Sequence, residues 1–397
     1  MIGELINFNQ DEISPVIIKV IGVGGGGGNA VGYMLQQGIR DVDFVVCNTD
    51  RQVLAASQVV KQIQLGKQLT KGGGAGNRPE LGEAAAYESL EEIQAMLREN
   101  TKMAFITATM GGGTGTGAAP VIAKTAKEMK ILTVGVVTFP MRLDGPKRIK
   151  QAQEGIKRMQ EYVDALIVID NEKIWQLYGS QTQGAAFDKA NDVLKIAVKG
   201  IAEIITLSGY INVDFADVTT VMTNSHMAIM GAARASGNDR AGRVIAEALN
   251  SPLLNKSDIS GAQNILLNIT SGIDDDEISV DELTEITSYV IDQVGDTASV
   301  IWGVGMDESL GGEISVTIIA TGFPFTEIDE MATPFDRTNP EGAEKTPTSH
   351  NESMIDYVAT QLSESDVPLQ PDLSAEDIRK LKITPAYTRR HMKVDKV

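Results

Sequence analysis

The chain has one cysteine in 397 residues, Cys47. An intramolecular disulfide is therefore excluded, and the composition suits a reducing, cytoplasmic compartment. No run approaches the roughly 18–20 apolar residues needed to span a bilayer. Residues 1–12 carry no basic stretch followed by an apolar run, so no secretory signal is expected there. Positive charge is in deficit: 35 Lys and Arg against 53 Asp and Glu give a net charge of −18. Such a chain is not expected to coat nucleic acid or an anionic membrane, and any membrane role must pass through a partner. The pattern Gly-x-x-x-x-Gly-Lys-Ser/Thr is missing as well, which excludes a P-loop nucleotide site. No internal repeat is found.

What is present is apolar residue (42%) and clustered glycine, 39 in all. The first allows a sizeable core and the second points to loops built for close backbone approach. Residues 16–23 read as a buried strand, followed by a helix over 29–35. Further strands are expected over 43–47, 103–108, 131–137 and 165–169, with a helix over 118–129. Short apolar strands alternating with helices imply a mostly parallel sheet covered on both faces. A long helix is predicted over about 187–207, with Ala190, Val193, Leu194, Ala197, Ile201 and Ile204 near helical spacing. It would span about 30 Å, join two domains and stop near Gly209. A second domain follows over 209–323, with strand-like runs at 218–222, 263–269, 299–302 and 314–320.

The expected division is an N-terminal extension (1–15), a first domain (16–186), the central helix (187–208) and a second α/β domain (209–323). A flexible linker (324–375) and a terminal peptide (376–397) complete it. The linker is rich in Pro, Thr, Ser, Asn and acidic residues. The terminal peptide reverses sign, with Arg379, Lys380, Lys382, Arg389 and Arg390 around the apolar residues Ile383, Pro385, Ala386 and Tyr387. That pattern fits a docking peptide or a solubilising extension.

Three glycine-rich segments are candidates for holding phosphate. Gly24, Gly25, Gly26, Gly27 and Gly28 with Asn29 follow a strand and open a helix. Backbone amides can approach an anion there, and the helix N-terminus adds partial positive charge. Alone, this segment also fits a dinucleotide loop or a tight turn. Gly111, Gly112, Gly113, Thr114, Gly115, Thr116 and Gly117 form a more specific segment: five glycines remove β-carbons and two threonines add donors. Residues 70–79, including Gly74, Ala75 and Gly76, are either a flap over a terminal phosphate or an ordinary surface loop. With no Walker lysine, backbone amides and a divalent cation would have to neutralise the phosphates.

Asn212, Asp214 and Asp217 follow Gly209. Aspartates three apart share one side of a turn or helix start, where they can polarise a water or hold Mg²⁺, or simply cap the next helix. No metal-ligand spacing is found around His226, and no metal site made by protein side chains is expected. Trp175 and Trp302 read as packing residues, and Cys47 as core.

Together these elements resemble the FtsZ family, the bacterial tubulin-like division GTPases, over about residues 16–323. Residues 111–117 resemble the tubulin/FtsZ signature and 212–217 the family's synergy loop. Asn48, Thr49 and Asp50 resemble its second nucleotide loop. Phe187 with Ala190, Asn191 and Asp192 resembles the guanine-facing start of its central helix. The resemblance implies a tubulin-like α/β fold that binds GTP and GDP, with Mg²⁺, on the first domain. It implies that Phe187 stacks on guanine and Asn191 reads its edge, with Asp144 and Arg148 near the ribose and γ-phosphate. It also implies that Asp214 and Asp217 act in a neighbour's pocket within a head-to-tail filament, so that hydrolysis is coupled to assembly into the cytokinetic ring. The terminal peptide would bind division proteins and a membrane tether. The linker of about 52 residues would reach roughly 40 Å as a random coil.

Thr109 stands where the family commonly has Gly, Gly73 where it has Leu, and Asp144 where it has Glu. These changes bear on affinity and turnover; a working GTPase is still expected. One alternative is an accessory filament protein of the same family with weak GTPase activity. Another is a Rossmann oxidoreductase using Asp50 on a ribose, which leaves 111–117 and 212–217 unexplained.

Overall fold

The computed structural model describes residues 17–323, except 40, 179–181, 207–208, 212, 252–258, 260 and 296–297. The expected N-terminal extension, linker and terminal peptide, and Asn212, lie outside the described residues. In chain order the elements are β1 (Ile18–Val23), α1 (Gly24–Gln36), β2 (Asp43–Asn48), α2 (Arg51–Ala56), β3 (Lys61–Gln64), α3 (Pro79–Glu88), α4 (Leu90–Arg98), β4 (Met103–Thr109), α5 (Thr114–Glu128) and β5 (Leu132–Phe139). They continue as α6 (Pro146–Tyr162), β6 (Ala165–Asp170), α7 (Asn171–Tyr178), α8 (Gln183–Thr206), β7 (Gly209–Ile211), α9 (Phe215–Met222), β8 (His226–Ser236), α10 (Arg240–Leu249), β9 (Asn264–Ser271), α11 (Val280–Val294), β10 (Ser299–Met306) and β11 (Glu313–Thr321).

The strands form one sheet in the order β3-β2-β1-β4-β5-β6-β8-β11-β9-β10-β7. The first six are parallel. Their crossovers place helices on both faces, which is why β1 is buried along its whole length. Its side chains alternate between two cores. Ile21 and Val23 meet α3 to α6, while Ile18 and Val20 meet α1 and α8. Beyond β6 the sheet narrows to two residue pairs, Ala165↔His226 and Leu166↔Met227, before the mixed second half begins. α8 bridges the two halves. Its buried residues Leu194, Ala197, Val198, Ile201 and Ile204 share one core with β1 and β5 on one side and with α9 and β8 on the other.

In the second half one sequence expectation fails and one strand, β8, is unexpected. Residues 218–222 are helical, as the end of α9, rather than a strand. The run Val-Thr-Thr-Val-Met favours a strand, but Asp214 and Asp217 form a reciprocal capping box that starts a helix. Val218, Val221 and Met222 are then buried at helical spacing. Conversely, the 11-residue β8 is built largely from Ala, Met and Gly. Its strand character comes from pairing with β11 along its length, since its own residues have weak strand preference. The helix expected over 29–35 begins earlier, inside the glycines at Gly24. Cys47 is fully buried and its thiol is pushed up to about 12 by burial, as a core residue should be.

Candidate nucleotide site

In the parallel half the strand order reverses between β1 and β4: β2 and β3 are added on one side of β1, and β4, β5 and β6 on the other, with all six strands parallel. Ligands in such sheets bind beyond the carboxyl ends of the strands at that point. A cavity of about 320 Å³ lies there, lined by Val23, Gly24, Gly25, Gly26, Thr109, Met110, Gly112, Gly113, Thr114, Gly115, Pro140, Met141, Asp144, Arg148 and Asn171.

Its electrostatics follow from two helix starts. α1 begins at Gly24 and α5 at Thr114, and neither has a side-chain cap. The first-turn amides of both helices are thus left to a ligand, with the positive ends of both dipoles at the cavity. Gly24 (φ +76°) makes the strand-to-helix turn with its α-carbon against Gly115, where a β-carbon would stand 2.9 Å from the Gly115 nitrogen. A β-carbon on Gly25 or Gly112 would meet nothing within 4 Å, so these two positions keep space open for a ligand.

The other glycines and threonines of the two segments serve the scaffold. A β-carbon on Gly27 would overlap the Thr107 carbonyl, and one on Gly117 the Pro79 carbonyl. These glycines let α1 approach β4 and α5 approach α3. Thr116 is fully buried and its hydroxyl accepts the Gly111 amide at 2.8 Å, so it fixes the turn of the loop. Gly28 and Asn29 lie further along α1, outside the cavity lining. Gly111 is likewise outside the lining; its φ of +96° turns the chain between β4 and α5.

Asn48 and the 70–76 loop stand beside the cavity. Asn48 is buried and its side chain accepts the Asp50 amide at 3.1 Å. The loop is docked by backbone bonds from Arg51 to Gly72 and from Gly74 to Thr49. Ala75 is buried under Gly113, while Gly74 and Gly76 take left-handed turns. The Thr49 and Thr114 hydroxyls, 2.7 Å apart, join this layer to the start of α5. Asp50 caps α2, accepting the Gln52 amide at 2.8 Å, which leaves it poorly placed for the ribose role of the oxidoreductase alternative.

On the opposite wall, Asp144 accepts from Arg148 Nη1 at 3.0 Å and from the Met141 amide at 3.0 Å. The pair therefore enters the cavity as one preformed unit. Sequence reasoning missed Asn171 as a lining residue. It starts α7 directly after β6, and its amide oxygen is buried without a hydrogen-bond partner among the described residues. Its place at the carboxyl end of a parallel strand was the available signal. Phe187 lies in the first turns of α8, with its side chain outside the described residues; Asn191 is half-buried on the same helix and does not line the cavity.

Asp214 and Asp217 do not line the cavity either. Asp214 is exposed at the start of α9, where its Oδ1 accepts the Asp217 amide at 2.8 Å and its own amide donates to Asp217 Oδ2 at 3.3 Å. Each carboxylate thus spends one oxygen on the cap, and the other has no partner among the described residues.

Residues 17–179 match the Tubulin/FtsZ family, GTPase domain, and residues 226–324 match the FtsZ family, C-terminal domain. The chain is 47% identical over 325 residues to the cell division protein FtsZ of Porphyromonas gingivalis, covering 81% of this chain and 71% of that one. It is also 47% identical over 318 residues to that of Coxiella burnetii, covering 79% and 81%. Among solved structures it is similar to the empty FtsZ dimer of M. jannaschii, with a TM-score of 0.71 and 42% identity over 77% of this chain and 88% of that one. CetZ2 from Haloferax volcanii, at 22% identity and a TM-score of 0.67, shares the fold. These matches leave no place for the oxidoreductase alternative, and with the glycine-lined cavity between two uncapped helix starts they lead to one conclusion: the chain belongs to the FtsZ family of tubulin-like cell-division GTPases.

Proposed function

We propose that this chain polymerises head to tail and hydrolyses GTP at the contacts between subunits, building the cytokinetic ring. The carrying observation is a separation. The phosphate cradle lies at the carboxyl ends of β1 and β4, whereas the carboxylates suited to orient water sit on α9, outside the cavity lining. One subunit's cradle and another's Asn212, Asp214 and Asp217 would make a complete site. An interface that joins two different faces of the same chain does not close, so it gives filaments.

Within this reading Gly25, Gly26, Gly112, Gly113, Thr114 and Gly115 hold the phosphates through backbone amides. Asp144, Arg148 and Asn171 contact the nucleoside and phosphates, while Phe187 and Asn191 recognise guanine. Mg²⁺ fits as an ion carried on the phosphates, because the glycine-lined cavity offers them backbone amides and the sequence has no Walker lysine to neutralise them. Bound there, it would neutralise charge on the transferring phosphoryl group. The domain division is proposed as 16–186, 187–208 and 209–323. The basic terminal peptide, 376–397, is proposed to dock division proteins and a membrane tether at the inner face of the membrane. No helix of the described residues is long and apolar enough to cross a membrane.

The test is GTP turnover against protein concentration with Mg²⁺, with sedimentation as the measure of assembly. Turnover per subunit should rise above a threshold that coincides with pelleting. Turnover strictly proportional to concentration from zero would mean a self-contained site and would sink the shared-site reading.

A further inference from the structure

Thr109 ends β4, and it alone in that strand is not buried. It lines the cavity beside Met110 and Gly112. Two neighbours define what its hydroxyl can do. Across the β4–β5 register, Thr109 pairs with Thr138, and the Thr138 hydroxyl donates to Thr109 Oγ1 at 3.1 Å. On the other side, a β-carbon on Gly26 would overlap Thr109 Oγ1, so this oxygen lies directly against the first turn of α1.

The consequence is a matter of donor and acceptor accounting. A hydroxyl carries one hydrogen and two lone pairs. Thr138 occupies a lone pair. The Thr109 hydrogen has no acceptor among the described residues, and it sits among the uncapped amides of α1 at the cavity wall. The Thr109 hydrogen and the first-turn amides of α1 offer donors to the cavity at this point, an arrangement that suits an anion.

We propose that Thr109 is a further phosphate-binding residue, its hydroxyl donating to a phosphate oxygen of the bound guanine nucleotide while Thr138 fixes its rotamer. The extra bulk against Gly26 is then part of the cradle and does not obstruct it. This rests on the reading of the cavity as the nucleotide site.

The experiment measures equilibrium binding of GDP, which avoids turnover, to the nucleotide-depleted full-length chain. Thr109→Val keeps the shape and removes the donor; Thr109→Ser keeps the donor; Gly112→Val fills open space in the cavity. Thermal melts accompany each, and Thr109→Ala replaces the valine variant should that one fail to fold. Loss of a hydrogen bond to a charged group predicts about tenfold weaker binding for Thr109→Val. Thr109→Ser should stay within about twofold of the parent, and Gly112→Val should bind least. Valine and serine variants that both bind like the parent, with Gly112→Val impaired, would overturn the role of Thr109 and leave the cavity reading intact. A Gly112→Val variant that binds normally, or a parent chain that does not bind GDP, would overturn the cavity reading and this inference with it.

Discussion

The Tyr33 hydroxyl donates to Asp192 Oδ1 at 2.7 Å, tying α1 to α8 next to Asn191. Lys195 reaches the same carboxylate oxygen at 3.0 Å and also lies over the Tyr33 ring, 5.7 Å from its centre. Burial and the Asp192 carboxylate raise the phenol's pKa, so it stays a donor at every working pH. The helix that starts at the phosphate cradle is thereby pinned to the helix proposed to read guanine.

Tyr33→Phe removes that one bond while keeping the ring. It should lower unfolding stability by about 0.5–1.5 kcal/mol, measured by denaturant titration. If the latch orients Asn191, the variant should also weaken GTP binding, while weakening a nucleotide with a different base less. Equal losses for both bases would deny it a part in base recognition.

Asp214 caps α9 and is proposed also to contribute to hydrolysis. Asp214→Asn retains a good cap, whereas Asp214→Ala loses about 1 kcal/mol of stability. Both should keep GDP affinity and lose turnover in assembled protein. A fully active asparagine variant would reduce Asp214 to its capping role.

Gly117 and Gly112 form a contrasting pair. A β-carbon at Gly117 overlaps the Pro79 carbonyl, and one at Gly112 meets nothing within 4 Å. Gly117→Ala should destabilise by about 1–3 kcal/mol through forced separation of α3 and α5. Gly112→Ala should leave the melting temperature unchanged, a comparison that calorimetry makes directly.

Acid sensitivity should trace to Glu282. Arg240 Nε donates to it at 2.7 Å, and the amide and hydroxyl of Ser279 donate as well. Arg240 foremost lowers its pKa from 4.5 to about 2. A depressed carboxyl contributes stability in full above its unfolded value and loses it as pH falls through its folded value. The contribution is therefore present above about pH 4.5 and disappears toward pH 2. Glu282→Gln should lower stability at neutral pH and flatten its decline across that window, as followed by unfolding at stepped pH.

Much of this was legible in the residues themselves. The buried parallel strands announced themselves by continuous Val and Ile, and α8 by its helical spacing, because burial on both faces or on one stripe leaves a periodic mark. The glycine segments named the anion-binding end of the sheet. The second half was less legible, since the Ala-rich β8 and the Val-Thr-Thr-Val-Met run carry weak or contrary local preferences that pairing and capping override.

The sequence by itself determined that two glycine-rich segments follow strands and open helices, where missing β-carbons let backbone amides approach an anion. Tertiary structure alone decided how the glycines divide their work. Gly25 and Gly112 open the cavity, whereas Gly27 and Gly117 bring elements into contact, a distinction set by what lies opposite each α-carbon. It also decided that Asn171, far along the chain, joins the site, and that Thr109 faces both Gly26 and Thr138. Those facts depend on which strands become neighbours, and neighbours in a sheet are chosen by long-range packing that no local pattern encodes.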